Sequence, residues 1–132
     1  MTTLLDLAER PRLGSNLIEA SAGTGKTYSI SNLYLHYVLQ GKSVSEILVV
    51  TFTELATKEL KDRIRLNLSL ALQVSKGISE DSLIKTILSL YPGKAVCLKS
   101  ALLNFDQAAI FTIHGFCQRL LTESAFESGR LF

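Results

Sequence analysis

The sequence predicts an α/β fold in which a parallel β-sheet carries helices on both faces. Three short apolar segments, at 17–18, 47–50 and 108–112, alternate along the chain with longer segments of helical periodicity. The second of these is apolar throughout rather than alternating, which is typical of a parallel strand covered on both faces. Alternation of this kind predicts right-handed crossovers, and ligands then bind outside the carboxyl ends of the strands.

Length, composition and charge limit the class of protein. The 132 residues suffice for one domain with a single core, and the 47% hydrophobic and 20% charged residues indicate a globular chain. A net charge of +2 is too small to indicate nucleic acid by itself. Cys97 and Cys117 lack a metal-binding spacing, so we expect reduced thiols. Because the sequence contains no signal peptide core and no membrane-spanning apolar run, we expect a cytoplasmic protein.

The most informative segment is a loop between the first apolar run and the first helix. It consists of Ala20, Ser21, Ala22, Gly23, Thr24, Gly25, Lys26 and Thr27. Gly23 and Gly25 leave backbone N–H groups open to a polyphosphate, and the following helix adds its positive end. Lys26 supplies a cation for phosphates, and Thr27 supplies a hydroxyl for Mg²⁺. The loop therefore predicts nucleotide binding.

One position of this loop departs from the general phosphate-loop pattern. A glycine is usual five residues before Gly25, where this chain has Ala20. A small-residue loop between a strand and a helix, without a ligand, is the alternative interpretation. The strand before the loop and the helix after it favour nucleotide binding, because a phosphate loop requires this context.

The remaining elements are predicted from apolar spacing and from end signals. Predicted helices cover about 25–40, 54–74, 79–90, 94–104 and 117–126. Gly41 is the predicted stop of the first helix, and Ser79 is the predicted N-cap of the third. His36 is expected to be exposed beside an apolar stripe. In the second helix, Glu59 and Asp62 are expected to form i,i+4 pairs with neighbouring cations on a solvated face.

Three unusual turns follow the three predicted strands. They are 20–27, 51–54 and 112–116. Because the carboxyl ends of parallel strands meet at one edge of a sheet, we expect these turns to lie together. Taken alone, Phe52 and Phe116 are interpreted as core residues, and His114 as a structural, helix-capping histidine.

The same three turns resemble a known family. Residues 20–27 look like motif I of superfamily 1 helicases of the UvrD type, in which alanine commonly replaces the first glycine. Residues 51–60, continuing to Arg63, look like motif Ia, and residues 111–117 look like motif Ic. Similarity to the beta subunits of bacterial exodeoxyribonuclease V is carried by 17–27, 49–54, 111–119 and 125–132. The resemblance covers most of the chain and is weakest over 75–104.

The resemblance implies a three-layer, RecA-like P-loop NTPase fold that binds ATP, Mg²⁺ and single-stranded DNA. The implied phosphate and Mg²⁺ ligands are Gly23, Gly25, Lys26 and Thr27. The residues implied to face single-stranded DNA are Thr51, Phe52, Thr53, Thr112 and His114. Hydroxyls suit phosphates, and an aromatic ring gives any base a stacking surface. The family leaves Phe116 in a packing role.

The resemblance also implies that residues 1–132 are the N-terminal part of the first motor domain of a larger helicase and exonuclease. No segment looks like the Asp-Glu of motif II, and the later arginines are missing, so we expect no catalytic residue and no useful ATP hydrolysis from this fragment. The implied process is double-strand break repair and recombination. The implied partners are DNA ends and the other subunits of exodeoxyribonuclease V.

Two alternatives stay open from the residues. A different P-loop enzyme, such as a small-molecule kinase, would explain residues 20–27 but would leave 51–53 and 112–116 without a role. A non-catalytic interaction module is the other alternative. Because the sheet of this chain would lack neighbouring strands, we also expect the isolated chain to self-associate.

Overall fold

The computed structural model describes residues 26–128, and the side chains of residues 27–124. The helices in this range are α1 (Lys26–Leu39), α2 (Glu54–Ser75), α3 (Ser82–Leu90), α4 (Val96–Leu103) and α5 (Ile113–Ser128). The strands are β1 (Leu48–Thr51) and β2 (Ala109–Thr112), each preceded by a short 3₁₀-helix. The predicted strand at 17–18 and residues 20–25 of the phosphate loop lie outside the described residues. Within the described range, every helix is too short or too polar to cross a bilayer.

The strands β1 and β2 pair in parallel, and the pairing confirms the predicted α/β architecture. Leu48 lies opposite Ala109, and Thr51 lies opposite Thr112. The connection between the strands runs through α2, α3 and α4. Because neighbouring residues of a strand point to opposite faces, β2 directs buried Ile110 to the α2 face and Phe111 to the α5 face. Helices therefore lie on both faces of this strand pair.

The core lies where α2 packs against α1, α3, α4 and the sheet. In α2 the buried apolar side chains Leu60, Ile64, Leu68 and Ala71 recur every three or four residues, which places them on one helix face. Leu35 of α1 is also completely buried. This face anchors α2, and the amino end of the same helix reaches the carboxyl edge of the sheet.

The face of β1 that points away from α2 is more open than expected. Leu48 and Val50 are 50% and 38% exposed. The prediction that this apolar strand is covered on both faces is therefore wrong for the residues described here, because α5 covers the side of Phe111 and leaves the neighbouring strand accessible. The predicted self-association of the isolated chain is not tested by this exposure and stays a prediction.

The amino end of α3 shows that the predicted cap is wrong. Asp81, and not Ser79, caps the helix, because its Oδ1 accepts a hydrogen bond of 3.0 Å from the amide of Ile84. The Ser79 hydroxyl instead donates to the side chain of Gln73 in α2. The aspartate combines the capping hydrogen bond with a negative charge at the positive end of the helix.

His36 is the clearest difference between the predicted and observed environments. Its side chain is completely buried, and its Nδ1 lies 2.8 Å from the hydroxyl oxygen of Tyr91. The expected exposure is wrong because the turn after α3 places Tyr91 over α1, with the two rings edge to face. Gly41, in contrast, ends α1 as predicted, with a φ of 96° that favours glycine.

The cations of α2 do not form the predicted i,i+4 ion pairs with Glu59 and Asp62 anywhere in the range 26–128. The ion pair found there joins Arg119 and Glu123 of α5 at 3.1 Å. Arg65 of α2 instead lies 5.0 Å from the ring centroid of Phe105, at cation–π distance. This arginine is directed by a ring from the segment before β2 rather than by a charge on its own helix.

Candidate nucleic-acid interface

The carboxyl ends of β1 and β2 form one edge that carries two of the three predicted turns. Thr51 and Thr112 end the strands side by side as register partners. The residues that follow them, Phe52 and Ile113, are 83% and 41% exposed. The structure therefore brings the two segments together, as their positions after parallel strands predicted.

Phe52 projects from this edge into solvent. Its 83% exposure shows that the alternative interpretation as a core residue is wrong. Leu55, the second residue of the helix that follows, is also 68% exposed. A phenylalanine this exposed has no role in the core and offers a flat apolar surface to a partner.

Thr53 forms the junction between the exposed phenylalanine and α2. Its backbone is extended, and its hydroxyl accepts a hydrogen bond of 3.0 Å from the amide of Ala56, which makes it the N-cap of the helix. Its carbonyl oxygen also accepts from the amide of Thr57 at 3.0 Å. These bonds set the point where the turn ends and the helix begins.

A cluster of threonine hydroxyls lies beneath the same turn. Thr57 of α2 is buried, and its Oγ1 is hydrogen-bonded to Oγ1 of Thr51 and also lies 3.1 Å from the carbonyl oxygen of Thr53. Sequence reasoning missed Thr57. The sequence did contain a signal: Thr57 precedes Leu60 by three residues, so it is a polar residue on the buried face of α2.

The second junction, from β2 to α5, differs from its prediction. The helix begins at Ile113 directly after the strand, so 113–116 is helix and not a turn. Thr112, and not His114, caps it: the Thr112 hydroxyl accepts a 3.0 Å hydrogen bond from the amide of Gly115. A Cβ atom at Gly115 would lie only 3.0 Å from that hydroxyl oxygen. His114 is consequently free of the capping role and lies exposed in the first turn of α5.

Phe116 turns back onto the sheet. Its ring stacks on that of Phe111 with 6.3 Å between centroids and 15° between planes. The guanidinium of Arg119 lies 5.1 Å from the centroid of the same Phe111 ring. The contact agrees with the packing role assigned to Phe116 and holds α5 against β2.

The phosphate loop is described only at Lys26 and Thr27, the first two residues of α1. Both lie at the amino end of a 14-residue helix, which is the positive end of its dipole. The Ser31 hydroxyl donates to the Thr27 carbonyl at 2.7 Å. Asn67 of α2 donates to the carbonyl of Ser31 and the side chain of Asn32, both at 3.2 Å. The start of α1 is therefore tied to α2, whose amino end supports Phe52.

Metal ligation by acidic or soft side chains is not indicated in this part of the chain. Among residues 26–128, no group of three or more His, Cys, Asp or Glu side chains could hold a metal ion. Both cysteines are free thiols, as predicted.

The parallel strand pair, the shared edge and the helix at the end of a phosphate-loop sequence are typical of the P-loop NTPase class. Residues 4–131 match the UvrD/REP helicase N-terminal domain, and the chain belongs to this family. This finding confirms the family resemblance found in the three motifs and favours it over the alternative of an unrelated P-loop kinase.

Curated relatives make the position within the family more specific. The RecBCD enzyme subunit RecB of Escherichia coli is 45% identical over 97% of this chain and 12% of the relative. The same subunit of Haemophilus influenzae is 44% identical over 86% of this chain and 11% of the relative. That of Mycolicibacterium smegmatis is 35% identical over 81% and 10%, respectively. The chain thus spans between about a tenth and an eighth of the length of these RecB subunits.

Proposed function

We propose that residues 1–132 form the ATP-binding, N-terminal part of the first motor domain of an ATP-dependent DNA helicase and exonuclease subunit. The observation that carries the proposal is the shared edge of β1 and β2, where exposed Phe52 and exposed His114 follow the paired strand ends. In a chain of the UvrD/REP family, an exposed aromatic at this edge is explained by single-stranded DNA, which stacks on it without sequence preference.

The nucleotide side of the proposal rests on the phosphate loop and α1. The residues proposed to contact ATP are Ala20, Ser21, Ala22, Gly23, Thr24, Gly25, Lys26 and Thr27. Lys26 neutralises phosphate charge, and the Thr27 hydroxyl ligates Mg²⁺. The supporting observation is that Lys26 and Thr27 open α1, where helix N–H groups and the dipole favour an anion. Bound Mg²⁺ would supply charge neutralisation at the phosphates.

The DNA side divides into residues that present side chains and residues that hold them. Phe52 and His114 present exposed side chains and are proposed to contact DNA directly. The hydroxyls of Thr53 and Thr112 accept hydrogen bonds from helix amides, and the half-buried Thr51 hydroxyl is bonded to that of buried Thr57. These three threonines therefore contribute to the interface mainly by fixing the backbone from which the other two side chains project.

The role of the whole protein follows from the same reasoning. We propose a motor acting at DNA ends in double-strand break repair and recombination, in the cytoplasm, together with RecC- and RecD-like subunits. The support is the similarity to subunits of the RecBCD enzyme. Because residues 1–132 lack a motif II acid and a γ-phosphate arginine, this segment alone should not turn over ATP at a useful rate.

The test is the ATPase activity of the full-length gene product, with and without single-stranded DNA. Wild type is compared with Lys26→Ala and with Lys42→Ala, which removes an exposed lysine beyond the end of α1. We expect stimulation by DNA, a loss on the order of 100-fold in Lys26→Ala, and no change in Lys42→Ala. ATPase activity that does not respond to DNA would favour the kinase alternative and remove the DNA roles of Phe52 and His114.

A further inference from the structure

We propose that Thr57 is a positioning residue for DNA binding, whose buried hydroxyl holds the turn from which Phe52 projects. The inference rests on the proposed DNA contact of Phe52 and adds a residue to it. Thr57 itself is 7% exposed, so it is not expected to touch DNA. Its effect is expected to pass through Thr51 and Thr53, the residues on either side of Phe52.

The hydrogen bonds around Thr57 form a short chain beneath the turn. Each threonine hydroxyl has one proton. When Thr57 donates its proton to the carbonyl of Thr53 at 3.1 Å, its oxygen accepts the proton of Thr51. Thr51 is the last residue of β1, and Thr53 is the N-cap of α2. The buried Thr57 hydroxyl thus joins the strand end to the helix start, with Phe52 between them, and we call these two hydrogen bonds the brace. The Thr51 hydroxyl also lies 3.2 Å from the Thr53 carbonyl oxygen, but in this arrangement its single proton is donated to Thr57.

Phe52 depends on this brace because its own ring is barely packed against other side chains. The ring is 83% exposed, and the aromatic contacts among the described residues do not include it. Its direction is therefore set by the backbone at Thr51 and Thr53. A turn that is already ordered before DNA arrives avoids the entropic cost of ordering it upon binding. Removal of the Thr57 hydroxyl should therefore weaken DNA binding without removing any DNA contact.

The brace also connects the two junctions. Thr51 is the register partner of Thr112 on β2. Thr57 thus holds the first turn against Thr51, and backbone pairing of the strands fixes Thr51 beside the strand that leads to His114. This arrangement suits a surface on which both side chains meet one strand of DNA.

The experiment is a double-mutant cycle in the full-length gene product. Thr57→Val removes the hydroxyl and keeps the shape, whereas Thr57→Ser keeps the hydroxyl. Each is combined with Phe52→Ala, and the dissociation constant for a labelled oligo-dT is measured by fluorescence anisotropy at fixed salt. Thr86→Val is the matched control, since Thr86 is exposed on α3 and makes the same i→i−4 hydroxyl bond, to the Ser82 carbonyl at 2.9 Å.

We expect Thr57→Val to weaken oligo-dT binding by about 3- to 10-fold, as loss of a hydrogen bond would. Thr57→Ser and Thr86→Val should stay within about twofold of wild type. On the Phe52→Ala background, Thr57→Val should add less than about twofold, because the side chain that it positions is already gone. If Thr57→Val is too unstable for measurement, Thr57→Ala takes its place in the cycle and Thr57→Ser remains the test of rescue.

The outcomes separate the inference from the proposed function. Fully additive losses in the double variant, or no loss in Thr57→Val while Phe52→Ala weakens binding, would overturn the role of Thr57 and leave the DNA interface intact. Unchanged binding in Phe52→Ala would instead overturn the proposed DNA contact itself.

Discussion

At the carboxyl edge of the sheet, two junctions lead from a strand to a threonine-capped helix, and they differ in the number of residues between strand and helix. Both strands end in threonine at paired positions, and both following helices are capped by a threonine hydroxyl at 3.0 Å. Between β1 and α2, however, lie Phe52 and Thr53, whereas α5 follows β2 without any intervening residue. In the first junction the cap lies outside the strand, and in the second the last strand residue is also the cap.

This difference decides which side chains reach solvent. Two residues between strand and helix allow Phe52 to leave the sheet surface completely. In the second junction no residues intervene, so the exposed residues Ile113 and His114 belong to α5. The helix backbone then sets the directions of their side chains. The first junction should therefore supply a stacking surface for DNA, and the second a polar contact that contributes less to binding.

The largest expected effect is on the first junction. Phe52→Ala should weaken binding of single-stranded DNA by about 2 kcal/mol, the magnitude of one base–aromatic stack, while the free energy of unfolding changes by less than about 0.5 kcal/mol. Fluorescence anisotropy and urea denaturation measure the two quantities. Ile78→Ala removes another side chain that is 70% exposed and should change neither. Equal loss in both variants would contradict a specific role for Phe52.

The phenylalanine of the second junction should behave in the opposite way. Phe116→Ala removes the ring stacked on Phe111 and should lower the free energy of unfolding by about 1–2 kcal/mol, less than for a fully buried ring because Phe116 is only half-buried. Urea denaturation of the full-length protein tests it. Phe116→Leu, which retains apolar volume, should recover part of the loss. Weakened DNA binding at unchanged stability would show that Phe116 belongs to the interface and not to the packing.

The two caps permit a direct comparison of the junctions. Thr53→Ala and Thr112→Ala should each destabilise the fold by about 1 kcal/mol, because each leaves a helix amide without its acceptor. Replacement by serine should recover most of the loss in both cases. Thr122→Ala, at an exposed hydroxyl bonded within α5, is the control. A Thr112→Ala variant as stable as the wild type would mean that α5 does not need this cap.

A smaller effect is expected from His114→Ala. Loss of one exposed polar contact should weaken DNA binding by about 0.5–1 kcal/mol, less than for Phe52→Ala. His114→Asn retains a hydrogen-bonding group and should lose less than the alanine variant. If His114→Ala proved more damaging than Phe52→Ala, the ranking of the two junctions would be wrong.

At neutral pH, the smallest effect should come from a buried side chain away from both junctions. Burial raises the pKa of the Tyr34 hydroxyl to about 12, from a usual value of 10.0, and that hydroxyl has no hydrogen-bond partner among the described residues. Because the folded state favours the neutral phenol, the contribution of Tyr34 to the free energy of unfolding is complete below pH 10. This contribution is lost as the pH rises toward 12. Between these pH values, the Tyr34→Phe variant should therefore unfold less readily than wild type. At neutral pH the free energies of unfolding of the two proteins should agree within about 1 kcal/mol. Melting temperatures measured across the alkaline range test this prediction. Wild type and variant melting temperatures that fall equally as the pH rises would contradict it.

Much of the described fold could be predicted because its causes are local. The apolar runs of β1 and β2, the start of α2 after Thr53 and the stop at Gly41 follow from side-chain type and from backbone preference at single positions. The shared edge follows from the geometry of parallel strands. The capping of α3 was missed because Asp81 and Ser79 are both good caps, and local preference did not distinguish them.

The sequence by itself determined the family, the parallel direction of the strands and the edge at which a ligand would bind. Tertiary structure alone decided that His36 is buried, since Tyr91 lies 55 positions away in the chain. It also decided that Phe52 faces solvent and that Thr57 lies beneath it, because both depend on how α2 crosses the strand ends. Local patterns specify elements, whereas burial and hydroxyl partners are set by contacts between segments that the sequence does not place side by side.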